Sequence, residues 1–403
     1  MTALFAVFIS CSGLNSKSEI LQHWNTNLVS VPAALQYLIY ANGHYVAYGD
    51  ISINESGAIF TSEDGQNWVL RLDGSGPSGG LGNGQGLYYT GGKFFAIGAP
   101  WNSTSALSDD GTNWETFEFP TTNSFPFYPP FVTGVAYGSG LYVAVSEPFY
   151  GGYSDWSVAT SPDGKNWTPI TNGIPANTAL SGVVYCKGRF IAYSSGATYI
   201  YGSTSGTNWG QLFAGHPSGP ISFQSDLLIA ANGPGTNLVS IDGRSWYYFP
   251  TGLTNAMGTV IYSHGIFLAR AGSHLATSTD GTNWVQSPGI LPGNSPQQPD
   301  FATDGARLVA VGLTFTAPPS HGYAYWSDDL TSIRSLGGSP FGLAVSGLAG
   351  RKYGVDYADD LPSAGVPSWN PLTNFQLSTN PVILFDQTVT NTSQRYYRSV
   401  LLP

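Results

Sequence analysis

Short apolar runs separated by glycine-rich links recur along most of the chain. Residues 134–145 (GVAYGSGLYVAV) show the pattern, with two apolar runs on either side of a Gly-Ser-Gly link. Runs of this kind joined by a tight link predict β-hairpins. Further hairpins of the same type begin near residues 37, 87, 183, 221, 260 and 301. The pattern therefore predicts a protein built from short antiparallel strands.

A seven-residue motif, Ser-x-Asp-Gly-x-Asn-Trp, follows each predicted hairpin. Five copies keep the Asp, the Gly and the Trp: residues 62–68, 108–114, 161–167, 240–246 and 278–284. Two copies are degenerate, because residues 203–209 have Ser205 in the Asp position and residues 327–333 have Ile333 in the Trp position. The copies begin 46, 53, 42, 37, 38 and 49 residues apart, so the chain is an array of seven units.

Each unit holds four predicted strands. The hairpin supplies two, a third strand such as residues 58–61 runs into the motif, and a fourth such as residues 68–71 leaves from its Trp. Seven four-stranded units of this length predict an all-β fold, a seven-bladed β-propeller over residues 24–337. Residues 24–31 are expected to add a strand to the last blade and so help to close the propeller.

The motif is expected to be a structural turn. A carboxylate can accept hydrogen bonds from backbone N–H groups of its own turn, and Gly permits a positive φ. The Trp is expected to cover the next blade with a large apolar area. The Asp residues are therefore interpreted as structural rather than catalytic. They are Asp64, Asp110, Asp163, Asp242, Asp280 and Asp329.

Ser-x-Asp-Gly-x-x-Trp resembles the Asp box of sialidase-type propellers, in a form that lacks one residue before the Gly. The resemblance covers residues 35–337 and implies boxes on the face away from the active site. The whole unit also resembles uncharacterised secreted repeat proteins of environmental bacteria. Sialidase chemistry needs an arginine cluster, whereas the chain has nine Arg and places only Arg270 suitably among the inner strands. Sialidase activity is therefore not expected, since fold does not set function.

The repeat pattern stops after Gly338. Residues 341–345 and 353–357 alternate like strands with one buried face, and further apolar segments follow to residue 400. Residues 338–403 are therefore expected to form a small β-sandwich. Gly350 to Tyr353, Trp369 and Arg395 to Arg398 resemble an immunoglobulin-like module appended to exported bacterial proteins. Such a module implies attachment or sorting more than chemistry.

The composition narrows the function. Only 9% of residues are charged and the formal net charge is −10, so few cations are available for nucleic acid. No run of 18 uncharged apolar residues occurs, which excludes a membrane-spanning helix. Residues 1–23 are either a signal remnant around Cys11 or an N-terminal extension. If they are removed, Cys186 has no partner for a disulfide. The low charge indicates an exported, extracellular or cell-surface protein.

The loops opposite the motifs are expected to carry the binding site. Aromatic residues there can stack on sugar rings, and Asn, Asp and Glu can bind hydroxyl groups. We therefore expect recognition of a polysaccharide or glycoconjugate, with self-packing of the loops as the alternative for each aromatic residue. The expected ligand-binding residues are Trp101, Tyr150, Tyr153, Trp156, Tyr199, Arg270, His274 and Tyr323.

Two other functions stay open. A glycoside hydrolase or polysaccharide lyase would use the same face, with Glu147, Asp155 and His321 as candidate catalytic residues and with Asp50 and Glu55 two blades away in the first unit. A protein-binding scaffold or adhesion module is the third possibility. The six His residues lack metal-ligand spacing and no glycine-rich loop precedes a helix, so no metal and no cofactor are expected. The oligomeric state is left open.

Overall fold

The computed structural model shows an all-β chain. It describes residues 25–28, 33–51, 56–74, 81–82, 84–99, 104–121, 130–147, 156–171, 173–175, 178–194, 199–215, 217, 219–263, 266–278, 280–290, 300–304, 307–314, 321–327, 332–337, 341–346, 352–359, 368–376, 382–388 and 395–402. No helix occurs among these residues, and hence none that is long and apolar enough to cross a membrane. The expectation of a β protein is confirmed.

Seven antiparallel sheets of four strands dominate the described part of the chain. The first strand, β1 (Asn25–Leu28), belongs to the last of these sheets. Sheet 1 holds β2 (Ala34–Ala41), β3 (His44–Ile51), β4 (Ser56–Ser62) and β5 (Val69–Asp73). Sheet 2 holds β6 (Gly84–Thr90), β7 (Lys93–Gly98), β8 (Thr104–Ser108) and β9 (Glu115–Glu118). Sheet 3 holds β10 (Phe131–Gly138), β11 (Leu141–Glu147), β12 (Val158–Ser161) and β13 (Thr168–Ile170).

The next four sheets repeat this order. Sheet 4 holds β14 (Gly182–Cys186), β15 (Arg189–Tyr193), β16 (Tyr199–Ser203) and β17 (Gly210–Ala214). Sheet 5 holds β18 (Ile221–Gln224), β19 (Leu227–Ala231), β20 (Thr236–Ser240) and β21 (Tyr247–Pro250). Sheet 6 holds β22 (Met257–Ser263), β23 (Ile266–Ala271), β24 (His274–Ser278) and β25 (Val285–Ile290). Sheet 7 holds β26 (Asp300–Thr303), β27 (Leu308–Thr314), β28 (His321–Ser327) and, beside β28, strand β1.

The first strand of each sheet is its inner strand, and the inner strands contact one another in sequence order. Contacts link β2 to β6 and continue through β10, β14 and β18 to β22, while β26 contacts β2 again. The order of sheets therefore closes on itself. Strand β1 lies antiparallel to β28, with Asn25 opposite Trp326 and Leu28 opposite Tyr323. The predicted additional strand of the last sheet is therefore present at residues 25–28.

Two three-stranded sheets follow sheet 7. One has the order β29 (Ser332–Gly337), β30 (Phe341–Ser346), β33 (Val382–Asp386), and the other β32 (Asn370–Gln376), β31 (Lys352–Ala358), β34 (Tyr396–Leu402). Leu343, Val355 and Tyr397 are buried in one hydrophobic cluster to which both sheets contribute side chains. Residues 332–337 pair with β30, although the sequence analysis placed them in the repeat region. The outermost strand of sheet 7 comes from the N-terminal segment instead.

Each sheet has two distinguishable ends. At the turn end lie the tight hairpins between first and second strands, together with the Ser-x-Asp-Gly-x-Asn-Trp segments between third and fourth strands, which we call repeat turns. In the first hairpin Asn42 and Gly43 have φ of 50° and 80°, as a two-residue type I′ turn requires. At the opposite end, called the loop end, the inner strands begin.

The repeat turns hold themselves together by local hydrogen bonds. In sheet 2, Asp110 Oδ1 accepts the backbone N–H groups of Thr112 and Asn113, both at 2.8 Å, and the Ser108 hydroxyl at 3.0 Å. Asp110 Oδ2 accepts Asn113 Nδ2 at 2.6 Å. Donation by the Asn113 N–H, reinforced by its side chain and by Thr112, holds the Asp110 pKa well below its usual value.

The same pattern recurs around Asp64, Asp163, Asp242 and Asp280, while Asp329 lies outside the described residues. In the degenerate fourth turn the Ser205 hydroxyl takes the place of the carboxylate and accepts two N–H groups at 3.2 Å. A neutral hydroxyl thus substitutes for part of the carboxylate's role.

The Trp of each described repeat turn packs against the preceding sheet, not the next one as expected from the sequence. Trp167 of sheet 3 lies against Phe95 and Phe119 of sheet 2, with ring centroids 6.4 and 5.1 Å apart. The turn's Gly also faces backwards. A Cβ on Gly164 would meet the Phe95 ring at 2.8 Å, and its φ is +82°, so Gly is required twice over.

Candidate functional site

The inner strands of all seven sheets line one central cavity of about 740 Å³. Its lining combines aromatic rings, aliphatic side chains, glycines and hydroxyl groups. A concave, largely apolar space with a few polar groups is the usual form of a ligand site. The central cavity is therefore the candidate site among the described residues, and its two ends differ in chemistry.

Aromatic side chains at the turn end are committed to packing. One aromatic residue near the end of the inner strand occurs in each of sheets 1 to 6. These residues are Tyr40, Tyr89, Tyr137, Tyr185, Phe223 and Tyr262. The Tyr rings among them pack at a tilt against an aromatic residue of the adjacent strand, with centroids 4.5–4.8 Å apart. The Tyr89 hydroxyl donates to Asn42 of sheet 1 at 2.8 Å. These rings therefore tie one sheet to the hairpin of the previous one.

At the loop end the lining tyrosines differ in how their hydroxyls are used. The Tyr88 hydroxyl donates to the Thr133 carbonyl at 2.7 Å. The Tyr193 hydroxyl accepts the Ile221 N–H, and burial raises the Tyr193 pKa to about 12 despite that bond. The Tyr37 hydroxyl makes no hydrogen bond to any residue that the structure describes. Tyr37 is thus the tyrosine here with a hydroxyl available to a ligand.

Two carboxyl groups flank Tyr37. Asp50 accepts Gln36 Nε2 at 2.6 Å and the Gly84 N–H at 2.8 Å. Asp300 accepts the N–H of Leu38, the residue after Tyr37 in the chain, at 2.9 Å. Burial, with the negative charges of Asp300 and Asp50, raises the Tyr37 pKa to about 12. The phenol therefore stays protonated and can donate a hydrogen bond.

Asp300 begins β26 and is the charged residue of the cavity lining. Its Oδ1 accepts the Phe301 N–H at 3.0 Å, and its Oδ2 accepts the Leu38 N–H. Burial raises the pKa of Asp300 to about 6, although both N–H groups and the positive charge of Arg270 oppose the shift. Ionisation of this carboxyl therefore takes place near neutral pH.

Arg270 on β23 interacts electrostatically with Asp300 on β26. A Cβ on Gly258 would lie 3.0 Å from an Arg270 guanidinium nitrogen, so the side chain packs over this glycine of the neighbouring inner strand. Its Nη1 is buried and has no hydrogen-bond partner among the described residues. Burial lowers the Arg270 pKa, and Asp300 opposes that change. Arg270 is at the loop end, as predicted for a ligand-binding residue, but it does not line the cavity, and its described role is electrostatic.

The other predicted site residues with described side chains lie around the loop end. Glu147 ends β11, and burial raises its pKa. Tyr199 begins β16 and packs edge-on against Tyr201 with centroids 6.4 Å apart. His274 begins β24, with its Nδ1 3.2 Å from the Ser273 hydroxyl. None of the three lines the central cavity, so the structure does not bring them together with Asp300.

Several predicted site residues cannot be placed. Trp101, Tyr150, Tyr153 and Asp155 lie outside the described residues. His321 and Tyr323 belong to β28, where His321 pairs with Thr314 and Tyr323 with Gly312, but only their backbone is described. Their assignment as ligand-binding or catalytic residues remains a prediction.

Trp156 corrects the sequence analysis. It was expected to contact a ligand, but only 4% of its surface is exposed and its Nε1 donates to the Pro120 carbonyl at 3.0 Å. Its ring lies against Phe119 with centroids 5.9 Å apart. The ring is therefore a core element between sheets 2 and 3. The sequence next to a long loop does not distinguish a Trp that is exposed in the loop from one that is buried in the core.

Asp300 and Tyr37 are site residues that the sequence pattern does not predict. A signal for Asp300 is present when the seven inner strands are aligned by their pairing with the second strands. Phe301 pairs with Ala310 and so takes the place of the buried aliphatic residues Leu38, Leu87, Val135, Val183, Ile221 and Val260. Asp300 is the residue before Phe301, where sheets 1 to 4 have Tyr37 or a Gly. It is a charged residue in an otherwise uncharged column, but it follows a segment of low apolar content that hides the start of the strand.

Comparisons with known proteins agree on the fold and give no family. No protein-family model matches the chain, and no curated protein matches it in sequence. Among solved structures, virginiamycin B lyase from Staphylococcus aureus, in an inactive histidine-to-alanine form with quinupristin, is 8% identical with a TM-score of 0.55. The match covers 75% of this chain and 99% of that one.

Two further structures are similar to about the same degree. The extracellular domain of the one-component system BT4673 from B. thetaiotaomicron is 10% identical, with a TM-score of 0.52 over 100% of this chain and 60% of that one. The WD40 β-propeller domain of Doa1 is 10% identical, with a TM-score of 0.51 over 78% and 99% of the two chains. At such identities the likeness shows the fold alone, which is β-propeller-like.

Proposed function

We propose that the chain is an exported glycan-recognition protein built on a seven-bladed β-propeller with a small immunoglobulin-like β-sandwich after it. Seven four-stranded sheets and the return contact of β26 to β2 support the blade count. The shared core of the last two sheets supports the sandwich. The strand pairing favours a boundary just before residue 332. We interpret residues 1–23 as a signal remnant or an N-terminal extension.

The observation that carries the function is the chemistry of the central cavity at its loop end. Tyrosine rings, hydroxyl groups and a carboxyl line a space of about 740 Å³. Aromatic rings stack on the C–H faces of sugars, and carboxyl and hydroxyl groups bind sugar hydroxyls. The chain-wide net charge of −10 and 9% charged residues favour a polysaccharide or glycoconjugate over nucleic acid, and they support an extracellular or cell-surface location.

The test is a binding screen of the full chain against immobilised neutral and acidic oligosaccharides, followed by calorimetric titration of the hits. Tyr37→Ala should weaken binding about tenfold, because it removes the ring and a hydroxyl that has no hydrogen-bond partner among the described residues. Tyr247→Ala is the matched control, since Tyr247 is 60% exposed on the outer strand of sheet 5. Equal loss in both variants, or no binding by any glycan, would overturn the proposal.

The same samples separate binding from catalysis. Mass spectrometry of the oligosaccharides after incubation detects new chain ends, and a product lighter by one water marks elimination rather than hydrolysis. Unchanged masses with measurable affinity support recognition alone. New products would replace the binding proposal with a carbohydrate-active enzyme at the same cavity.

A further inference from the structure

Asp300 pairs with Val311 and is the charged residue in a column of cavity-lining positions. Its equivalents in sheets 1 to 4 are Tyr37, Gly86, Gly134 and Gly182, which also line the cavity and carry no charge. A carboxyl in such a column costs desolvation free energy, and the cost appears as the raised Asp300 pKa. A local conflict of this kind is typical of a functional position, where stability is given up for a site.

The hydrogen bonds of Asp300 leave it acceptor capacity towards the cavity. Each carboxyl oxygen accepts one backbone N–H, from Phe301 and Leu38, whereas an ionised carboxyl offers about four acceptor sites. The Tyr37 hydroxyl nearby has no described partner and can donate or accept. Together they offer a ligand hydroxyl one acceptor and one donor.

The charge of the lining restricts the ligand further. Among the described residues that line the central cavity, Asp300 is the one charged side chain. Arg270 attracts the charge of Asp300 but is not part of the lining, so no described cation lines the space. An anionic sugar would meet the Asp300 carboxylate without a lining cation to pair with its own charge. The lining therefore suits a neutral, hydroxyl-rich ligand.

We propose that Asp300 is the selecting group of the central cavity: it accepts hydroxyl hydrogen bonds from a neutral saccharide and excludes saccharides that carry carboxylates. The inference rests on the proposed function, whose ligand class it narrows. It also assigns Tyr37 as the neighbouring donor. The competing explanation is purely structural, since the Leu38 N–H bond to Asp300 joins sheet 7 to sheet 1.

Two variants separate selection from structure. Asp300→Val removes the carboxyl and puts an apolar side chain of similar size in its place. Asp300→Asn keeps the shape and one acceptor but removes the charge. If the carboxyl serves the ligand, Asp300→Val raises the midpoint of thermal unfolding at pH 7, because the desolvation cost disappears. If it serves closure of the ring of sheets, both variants lower that midpoint.

Binding is measured by titration calorimetry with neutral hexasaccharides of glucose, galactose, mannose and N-acetylglucosamine, and with matched hexasaccharides of glucuronic, galacturonic and mannuronic acid. Wild type should bind at least one neutral probe about tenfold more tightly than its acidic counterpart. Asp300→Val should lose about tenfold or more of the neutral affinity. Asp300→Asn should narrow the difference between neutral and acidic probes.

The outcomes are distinct. Binding of acidic probes as tight as that of neutral ones, or full affinity in Asp300→Val, overturns the inference and leaves glycan recognition standing. Binding of no probe by wild type overturns the proposed function and the inference with it. A lower unfolding midpoint in Asp300→Val, at unchanged neutral selectivity, assigns Asp300 to closure of the ring alone.

Discussion

The repeat turns allow a stability prediction with a comparison built into the chain. Asp110→Ala removes two backbone N–H bonds at 2.8 Å, one from the Ser108 hydroxyl and one from Asn113 Nδ2. Thr112 and Asn113 are exposed, so water replaces part of what is lost. With about 0.5 kcal/mol for each such bond, the loss is about 2 kcal/mol.

The fourth turn predicts a milder result for Asp110→Ser. There Ser205 keeps two N–H bonds, at 3.2 Å, without a charge. Half of the bonds therefore persist in weaker form, and Asp110→Ser should cost about 1 kcal/mol. For a domain of about 300 residues, 2 kcal/mol corresponds to a fall in melting temperature of about 3 °C and 1 kcal/mol to about half of that.

Differential scanning calorimetry and urea unfolding at pH 7 measure both variants. Asp109→Ala is the control, because Asp109 is adjacent, 77% exposed on its side chain and paired with Lys93 at the surface. A surface ion pair of this kind contributes at most about 1 kcal/mol and often nothing measurable. The reasoning is refuted if Asp109→Ala costs as much as Asp110→Ala, or if Ser at position 110 is no better than Ala.

Acid, burial and sterics give four more expectations. Donation by the N–H groups of Ser245 and then Arg244 lowers the Asp242 pKa to about 2, so the stabilisation by this carboxylate is complete above about pH 4 and is lost as the pH falls towards 2. Unfolding followed by tryptophan fluorescence should show this loss of stability. An Asp242→Ala variant that loses as much stability over the same pH range would contradict the expectation. The pH dependence of stability has the opposite sign at Asp300, whose raised pKa lowers the free energy of unfolding by about 3 kcal/mol as the pH rises from 4 to 6. Urea unfolding of Asp300→Asn should not show this decline. An identical pH slope in wild type and Asp300→Asn would count against the expectation. Trp156→Phe should lower the free energy of unfolding by about 1 kcal/mol, because it removes the hydrogen bond to the Pro120 carbonyl, and should leave glycan affinity unchanged. Weaker binding in calorimetric titration would show that Trp156 is a ligand-binding residue after all. Gly138→Ala puts a Cβ 2.1 Å from the Tyr185 ring and should lower the free energy of unfolding by about 2 kcal/mol. Adding Tyr185→Ala in the same chain should restore a part of this loss. Urea unfolding that shows no such restoration argues against the clash.

Much of the fold can be predicted from the sequence, because the hairpins and repeat turns are determined by local interactions. The Asp110 bonds span two or three residues, and the hairpin turns need only Asn42 and Gly43, so motif and spacing alone predict them. The sequence likewise indicated the strand that residues 25–28 add to sheet 7. It misjudged the segment 332–337 and the direction in which Trp167 packs, because both depend on which neighbouring surface is nearest in space.

The candidate site is different, because its parts meet only when the order of sheets closes. The Asp300 carboxyl and the Leu38 N–H are 262 residues apart in the chain, and Arg270 comes from a third sheet. The periodicity of a strand shows that a residue faces inwards, but not whether core or cavity lies there. The sequence by itself thus determined the all-β class, the repeated unit and its turns. The tertiary structure decided that Trp156 is core and that Tyr37 and Asp300 share a cavity, since both outcomes depend on contacts between sheets far apart in the chain.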